Sequence, residues 1–356
     1  MSFTSAARQF LQNLLLVCSS IVVLLIAIEL ILTFLVPVLY RPRITKLDDT
    51  VGWYHVSNFR GFDEKEGHRY EISYNTHGYR GPDRAYEKPQ GMRRVVVLGD
   101  SFTDGSEVGD EELFTWKLEQ ALSNVEVINL GVYGYQTAQE FVTLEQRGLR
   151  YSPDAVVLMV VPNDLPGNVV ALEAFAPAPR FMLAGDSIAF EGLDHPSARE
   201  AFRAAHLPAP RWVRLNSSLY YLVNIRIYQP LISKRIRQFA EDRLAAVTPD
   251  EQRELFRRIV LRMRDICDTK GISFLVVFTH PKNDVVGAAS SQFKALANAL
   301  EMDGIKTLDL FENFRQQEKA GPSPYYRNDP HWNVVGHDKV AEWMFPHVQA
   351  LLDSGL

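Results

Sequence analysis

From Arg93 onward the chain alternates short apolar runs with stretches whose apolar residues recur at helical spacing. Val95–Leu98 precedes a helical pattern over Glu111–Leu122, Val125–Asn129 precedes Thr137–Gln146, and Ala155–Val161 follows. Apolar runs with little polar alternation fit strands buried on both faces. The intervening helices supply the long crossovers that parallel strands need. The rhythm breaks at about Leu165 and resumes with a helix opening at Thr248-Pro249-Asp250-Glu251, where Thr248 caps, Pro249 takes the first helical position and Glu251 completes a capping box. This helix runs to about Lys270. Strands Ile272–Thr279 and Thr307–Leu310 follow, with a helix near Ser290–Met302 between them and a last helix from about Val334 to Leu352. The pattern predicts an α/β domain over 93–356, with a mostly parallel five-stranded sheet and helices on both faces. Residues 165–247 are too many for a plain loop. They are expected to form a lid-like insertion carrying an Arg- and Tyr-rich helix near Ser217–Ala240.

The first quarter of the chain follows other patterns. Leu14 to Val36 is apolar apart from Ser19, Ser20, Glu29 and Thr33, and as a helix it spans roughly 34 Å, enough to cross a bilayer. Residues 14–36 are therefore expected to be a transmembrane signal anchor, with 1–13 in the cytoplasm and the large domain on the periplasmic side of the inner membrane. A cleavable signal peptide is the competing reading. Its apolar region would be about half as long and end in small residues, which Pro37-Val38-Leu39-Tyr40-Arg41-Pro42 does not provide. The flanking charges oppose the preferred orientation, because Arg8 precedes the helix whereas Arg41, Arg43 and Lys46 follow it. Glu29 either meets a membrane-protein partner inside the bilayer or snorkels to the nearby interface. Residues 37–92 read as a linker and N-terminal extension with short strands such as Tyr70–Tyr74.

Composition narrows the functions. The 356 residues carry a net charge of −5 and no Lys/Arg run with interleaved aromatics, so nucleic acid is not an expected partner. Cys18 and Cys267 are the only cysteines and define no disulfide framework. No Cys/His cluster has zinc spacing, and no P-loop or dinucleotide fingerprint occurs. Neither a metal nor a cofactor is expected.

The chemistry rests on a serine and a late histidine. Gly-Asp-Ser occurs twice, and context separates the copies. Ser101 follows Val95-Val96-Val97-Leu98 and a Gly99-Asp100 turn and precedes a helix; this places its hydroxyl at the carboxyl edge of a parallel sheet, where such folds bind ligands. Ser187 lies between Phe181-Met182-Leu183 and Ile188-Ala189-Phe190, the pattern of a β-hairpin turn, and is expected to be structural. Some 230 residues after Ser101 the chain reads Asp329-Pro330-His331-Trp332-Asn333. A serine with an Asp and a His two apart is the raw material of a nucleophilic triad.

Four ordered blocks resemble the SGNH/GDSL hydrolase superfamily: Val97-Leu98-Gly99-Asp100-Ser101, Asn129-Leu130-Gly131-Val132-Tyr133-Gly134, Pro162-Asn163-Asp164, and Asp329-Pro330-His331-Trp332-Asn333-Val334-Val335-Gly336-His337. The resemblance implies a flavodoxin-like α/β/α sandwich with Ser101 as nucleophile, His331 as base and Asp329 as its orienter. It also implies an oxyanion hole from the Ser101 N–H, the Gly134 N–H and the Asn163 side-chain amide. Two positions depart from the family pattern. Val161 stands where a glycine is usual, and Asp-x-His replaces Asp-x-x-His, with Asn328 at the usual acid position. The spacing instead resembles the Asp-x-His-Trp of periplasmic alginate-type O-acetyltransferases. Three further histidines rank below His331. His77, in a Gly-rich segment, reads as part of a turn; His280 follows a strand and is a second-rank site candidate; His337 reads as structural.

The expected function is that of a membrane-anchored serine esterase or O-acyltransferase acting on acyl esters, expected to be acetyl, of a glycan or cell-envelope polymer. A lipid esterase or thioesterase is a second reading. A non-catalytic scaffold subunit of an envelope-polymer modification complex is a third.

Overall fold

The computed structural model describes residues 3–34, 44–170, 172–173, 176–196, 207–210, 212–213, 217–286 and 291–354. Its centre is a sheet of five parallel strands: β1 (Arg93–Leu98), β2 (Val125–Asn129), β3 (Ala155–Val160), β4 (Ser273–Phe278) and β5 (Lys306–Asp309), in the order β5-β4-β3-β1-β2. All five were expected; β1, β3 and β4 are apolar runs, and the reason for such runs is visible in the packing around β1. Val96 and Leu98 join one core, with helices Thr137–Gln146 and Pro249–Asp268, while Val95 and Val97 join the other, with helices Phe114–Ala121 and Val334–Ser354. A strand covered on both faces has no polar side to alternate with.

The chain moves outward from β1 in opposite directions, with β2 on one side and β3 on the other. The crevice beyond the carboxyl ends of β1 and β3 is thus the topological switch point of a flavodoxin-type order, the place where open α/β sheets take ligands. The loop after β2 packs tightly behind this crevice. A Cβ on Gly131 would stand 2.5 Å from the Asp104 amide nitrogen and 2.7 Å from the Thr103 carbonyl carbon, so only glycine allows the two backbones to approach so closely.

Several boundaries differ from expectation. The helix expected over Glu111–Leu122 is a short 3-10 turn, Asp110–Glu112, followed by Phe114–Ala121. Helix Phe311–Ala320 was not anticipated, because only Phe311 and Phe314 of its ten residues are buried and the apolar repeat is too sparse to register. The hairpin expected around Ser187 is present as Arg180–Ala184 paired antiparallel with Ser187–Glu191. The Arg- and Tyr-rich segment is helical from Ser218 to Ala245, with a π-helical turn at Asn224–Tyr228.

The N-terminal apolar helix runs from Phe3 to Phe34, and Ala7–Phe34 is long and apolar enough to cross a membrane. Residues 35–43, which include the end of the expected span, Arg41 and Arg43, lie outside the described residues. Glu29 meets the same chain: its carboxylate accepts hydrogen bonds from the Ser217 hydroxyl (2.7 Å) and from the backbone amides of Ser218 (2.5 Å) and Leu219 (3.0 Å). An acidic side chain thereby satisfies amides that open a helix.

Between that helix and the sheet lie two hairpins, Thr45–Asp48 with Gly52–His55 and Phe59–Lys65 with His68–Tyr74. The second closes through Glu66 (φ 51°) and Gly67 (φ 84°), a two-residue loop with both residues left-handed, as a type I′ turn requires.

The packing of Gly131 gives a test. Gly131→Ala is expected to destabilise the protein by roughly 1–3 kcal/mol, the cost of overpacking, lowering Tm by several degrees. Circular dichroism melts of the two proteins in the same detergent would measure it, and an unchanged Tm would show that the two loops are not in contact.

Candidate active site

The end of β1 delivers Ser101. Asp100 caps a single helical turn, Ser101–Asp104, by accepting the Phe102 amide at 2.9 Å, and the Gly105 amide closes the turn on the Ser101 carbonyl at 2.8 Å. The Asn129 side chain, at the end of β2, holds the same turn by donating to the Thr103 carbonyl at 2.7 Å, and its own oxygen accepts the Gly131 amide at 2.9 Å. The asparagine that precedes Gly131 in the second block thus ties two loops together at the sheet edge.

From the far end of the sequence, the segment Arg327–Trp332 arrives over this turn. Trp332 is buried against Phe102, Phe114 and Phe314, which fixes the residue immediately before it. His331 Nε2 lies 2.8 Å from Ser101 Oγ, and His331 Nδ1 lies 2.6 Å from Asp329 Oδ1. The same Asp329 oxygen accepts the His331 backbone amide at 2.9 Å. Burial works to raise the Asp329 pKa, but hydrogen bonds from Lys65 and from the His331 backbone and ring, with the charge of the ring, bring it down to about 2. The carboxylate is therefore ionised and can only accept, which puts the imidazole proton on Nδ1. In that tautomer Nε2 is the ring's acceptor, facing the serine hydroxyl.

The alternatives to Asp329 are placed elsewhere. Asn328 gives its backbone amide to Glu66 at 2.7 Å, and Asp338 pairs with Lys117 at 2.5 Å. The start of the final helix is served by Asn333, whose side-chain oxygen accepts the Gly336 amide at 3.1 Å, so His331 is not its cap. Gly134 is buried with φ 73° in the loop after β2, whose Tyr133 carbonyl is held by the Trp53 indole at 2.9 Å. Asn163 is exposed on the turn between β3 and helix Asp164–Val170. Val161, at the departure from the family pattern, is buried in the core, and its amide donates to the Asp164 carboxylate at 2.8 Å.

The remaining histidines and the second Gly-Asp-Ser have other partners. His77 packs on Tyr86 and Tyr151 beside Gly78, whose φ is 78°. His280 is buried against Asp309 at 2.8 Å. His337 accepts the Phe114 amide through Nδ1 at 3.3 Å, and burial first, then the charges of Arg80, Lys117 and His331, lowers its pKa to about 3. Ser187 donates to the Ala184 carbonyl at 3.0 Å within its hairpin turn.

Sequence reasoning missed the hairpin residues that brace the histidine loop. Lys65 Nζ donates to Asp329 Oδ2 at 2.6 Å, so the two carboxylate oxygens are divided between lysine and histidine. Next to it, Glu66 accepts the backbone amides of Arg327 at 2.8 Å and Asn328 at 2.7 Å. From the opposite side, Lys282 donates to the carbonyls of Tyr326 at 2.9 Å and Arg327 at 3.0 Å. The only local signal was Glu66-Gly67, which marks a turn and says nothing of what the turn touches.

Four buried acids, Asp100, Asp104, Glu140 and Asp164, act on one another at and around the Ser101 turn. Burial raises Asp100 to about 6, although the Phe102 amide and the charge of His331 oppose it. Burial, together with nearby carboxylates, pushes Glu140 and Asp164 well above the ordinary carboxylate range. Asp104, at the end of the turn, is pushed up to about 8 by burial despite the opposing charge of Arg80. Its oxygens meet the Tyr74 hydroxyl at 3.3 Å and His55 Nε2 at 3.6 Å. Among the described residues, no group of three or more His, Cys, Asp or Glu side chains is arranged to hold a metal ion.

A parallel α/β sheet of 2-1-3-4-5 order, with a serine at its switch point hydrogen-bonded to a histidine, defines the architecture of an ester hydrolase of the Gly-Asp-Ser type. Residues 97–339 match the GDSL-like Lipase/Acylhydrolase family, and the chain belongs to that family. No curated protein matches the sequence. Similar solved structures include a lipolytic protein of the G-D-S-L family from Veillonella parvula, with 12% identity over 71% of this chain and 97% of that one and a TM-score of 0.41. An acetyl xylan esterase shows 14% identity over 72% and 99%, with a TM-score of 0.41. A GDSL-like lipase from Bacteroides thetaiotaomicron shows 11% identity over 74% and 89%, with a TM-score of 0.36.

Asp104 makes a pH-dependent contribution with a definite sign. Because its folded pKa of about 8 lies above the unfolded value of 3.8, the folded state holds a proton that the unfolded chain releases. Stability from this group is full below pH 3.8 and is lost as pH rises toward about 8. Asp104→Asn, which mimics the protonated acid, is expected to flatten the decline on that interval in urea unfolding curves. An undiminished decline in the variant would show that Asp104 is ionised in the folded protein.

Proposed function

We propose that this protein is a membrane-anchored serine ester hydrolase or O-acyltransferase that works through an acyl-enzyme on Ser101. The observation that carries the reading is the relay Ser101 Oγ–His331 Nε2–Nδ1–Asp329, at 2.8 and 2.6 Å. Membership of an acylhydrolase family supports ester chemistry. His331 takes the serine proton as Oγ attacks the acyl carbonyl. Asp329 holds the ring in the tautomer that allows this and stabilises the imidazolium that forms. The proton then passes to the departing alcohol, and water or a sugar hydroxyl resolves the acyl-enzyme with His331 again as base.

The oxyanion is assigned to the Ser101 N–H, the Gly134 N–H and the Asn163 side-chain amide. These stand on the loops that leave β1, β2 and β3 at the same sheet edge, and each donor of this kind is typically worth about 10²–10³ in rate. Phe3–Phe34 is assigned as a single-pass anchor in the inner membrane, with the catalytic domain on its periplasmic side. The acyl group is proposed to be acetyl, carried by a glycan or envelope polymer. That choice rests on the Asp-x-His-Trp spacing of residues 329–332, which resembles alginate-type O-acetyltransferases.

The reading is tested on a short-chain chromogenic ester and with a fluorophosphonate. Ser101→Ala is expected to abolish turnover and the covalent adduct, which mass spectrometry should place on Ser101 in the unaltered protein. Ser187→Ala should leave both unchanged. An adduct elsewhere, or equal losses at the two serines, would refute the assignment.

The acid and its brace should separate by magnitude. Asp329→Asn is expected to lower kcat by about 10⁴ with little change in KM, because the amide favours the wrong histidine tautomer. Lys65→Met removes one charge-assisted hydrogen bond and leaves the tautomer intact, so its loss in kcat should be about 10–100-fold. Steady-state kinetics decide the matter; wild-type turnover in Asp329→Asn would remove Asp329 from the relay.

A further inference from the structure

We propose that the helical segment Ser218–Ala245 docks on the anionic headgroup layer of the membrane that Phe3–Phe34 crosses, forming a second, interfacial attachment beside the anchor. The inference rests on that helix spanning the bilayer. Three observations lead to it. The segment begins at the membrane helix, because the amides of Ser218 and Leu219 bind the Glu29 carboxylate, and the Thr33 and Ser218 hydroxyls lie 3.1 Å apart. Glu29 and Thr33 fall in the last turns of Phe3–Phe34, where an apolar span gives way to headgroups. The segment therefore starts at the level of the interface.

Its charge is one-sided. Between Ser218 and Ala240 stand Arg226, Lys234, Arg235 and Arg237 with no Asp or Glu, in a chain whose net charge is −5. All four cations are exposed. Acidic residues return only at Glu241 and Asp242, toward the end where Arg243 donates to the Val170 carbonyl at 3.0 Å and joins the segment to the hydrolase domain.

Large apolar side chains stand among those cations. Ile227 is 55% exposed and Leu231 is 77% exposed. At a spacing of four residues they share a helix face, and Lys234 and Arg235 continue it one turn further on. The buried residues Asn224 and Gln229 face the protein, and Asn224 accepts the Leu207 amide at 2.9 Å. Exposed aliphatic residues flanked by Lys and Arg fit a surface with apolar chains under anionic headgroups. A protein partner would have to match the same combination in a place already adjoining the membrane helix.

The experiment uses the full chain with its two cysteines replaced (Cys18→Ser, Cys267→Ser), reconstituted in phosphatidylcholine vesicles with and without phosphatidylglycerol. An NBD fluorophore is placed by Leu231→Cys, with a comparison site on the hydrolase domain made by Met302→Cys, which is 83% exposed in the parent chain. Ile227→Cys provides an independent site should the Leu231 variant fail to fold. In a third preparation Cys18 is retained and labelled, so that quenching by deep doxyl lipids reports the anchor. The expected result is a blue-shifted Leu231 label quenched by shallow doxyl lipids several-fold more than the Met302 label. Omitting phosphatidylglycerol, or changing Arg226, Lys234, Arg235 and Arg237 to Gln, should largely remove that difference. A quenched Cys18 label with position 231 no more quenched than position 302 would overturn the interfacial attachment and leave the anchor standing. Equal quenching in both lipids would overturn the anionic preference. An unquenched Cys18 label would overturn the anchor and the proposal with it.

Discussion

Burial of β1 on both faces is the constraint from which the candidate site follows. Val95, Val96, Val97 and Leu98 are completely withdrawn from solvent, each contributing on the order of 1.5–3 kcal/mol of hydrophobic stabilisation. That burial leaves the strand no freedom of register. The backbone must leave the sheet at Gly99, and Ser101 then opens a short capped turn at a fixed height above the sheet edge. β2 and β3 are held at the same level by parallel pairing with β1, Val97 opposite Asn129 on one side and Val157 on the other. Three loops therefore converge on one place because three buried strands end there.

The histidine reaches this place from a distant part of the sequence and has no strand of its own to locate it. Two devices fix it instead. Trp332 is sunk in the aromatic cluster under the loop, and the Lys65-Glu66 tip of an N-terminal hairpin holds the loop from above. Lys65 and His331 pull on the two oxygens of one carboxylate, which restricts rotation of Asp329. Glu66 fixes the backbone on which that carboxylate is carried. The N-terminal extension is thereby part of the site's support, although it lies outside residues 97–339, which carry the family match.

The buried acids at and around the Ser101 turn play a different part. Ionised, they would repel the negative charge that develops during attack on a carbonyl. Burial raises all of them, Asp164 and Glu140 well above the ordinary carboxylate range and Asp104 to about 8, so that Asp104 is neutral near neutral pH. Asp329, with cationic and amide partners, is drawn the other way. Carboxyl groups of one local sequence class are thus sorted into neutral and charged roles by their surroundings alone.

How much was legible depended on whether the information was local. The five strands, the hairpin around Ser187, the capping box at Thr248 and the separation of the two Gly-Asp-Ser copies are properties of neighbouring residues, so periodicity and turn chemistry announced them. The apolar helix is equally local, a matter of length and hydropathy. Helix Phe311–Ala320 escaped because two buried phenylalanines do not make a periodic stripe. The Lys65 bond to Asp329 and the Glu66 clamp join residues more than 260 positions apart, and nothing in Glu64-Lys65-Glu66-Gly67 distinguishes them from any charged hairpin tip. Glu29 allowed either a membrane partner or a snorkelling side chain when read alone; the fold gave it the amides of a helix 189 residues away. Sequence by itself determined the five strands, the main turns and those helices with a periodic apolar stripe, because those choices are settled by burial and backbone preference within a few residues. Tertiary structure alone decided which distant charges would meet, because a hydrogen bond between remote residues is specified by position in space and leaves no periodic trace along the chain.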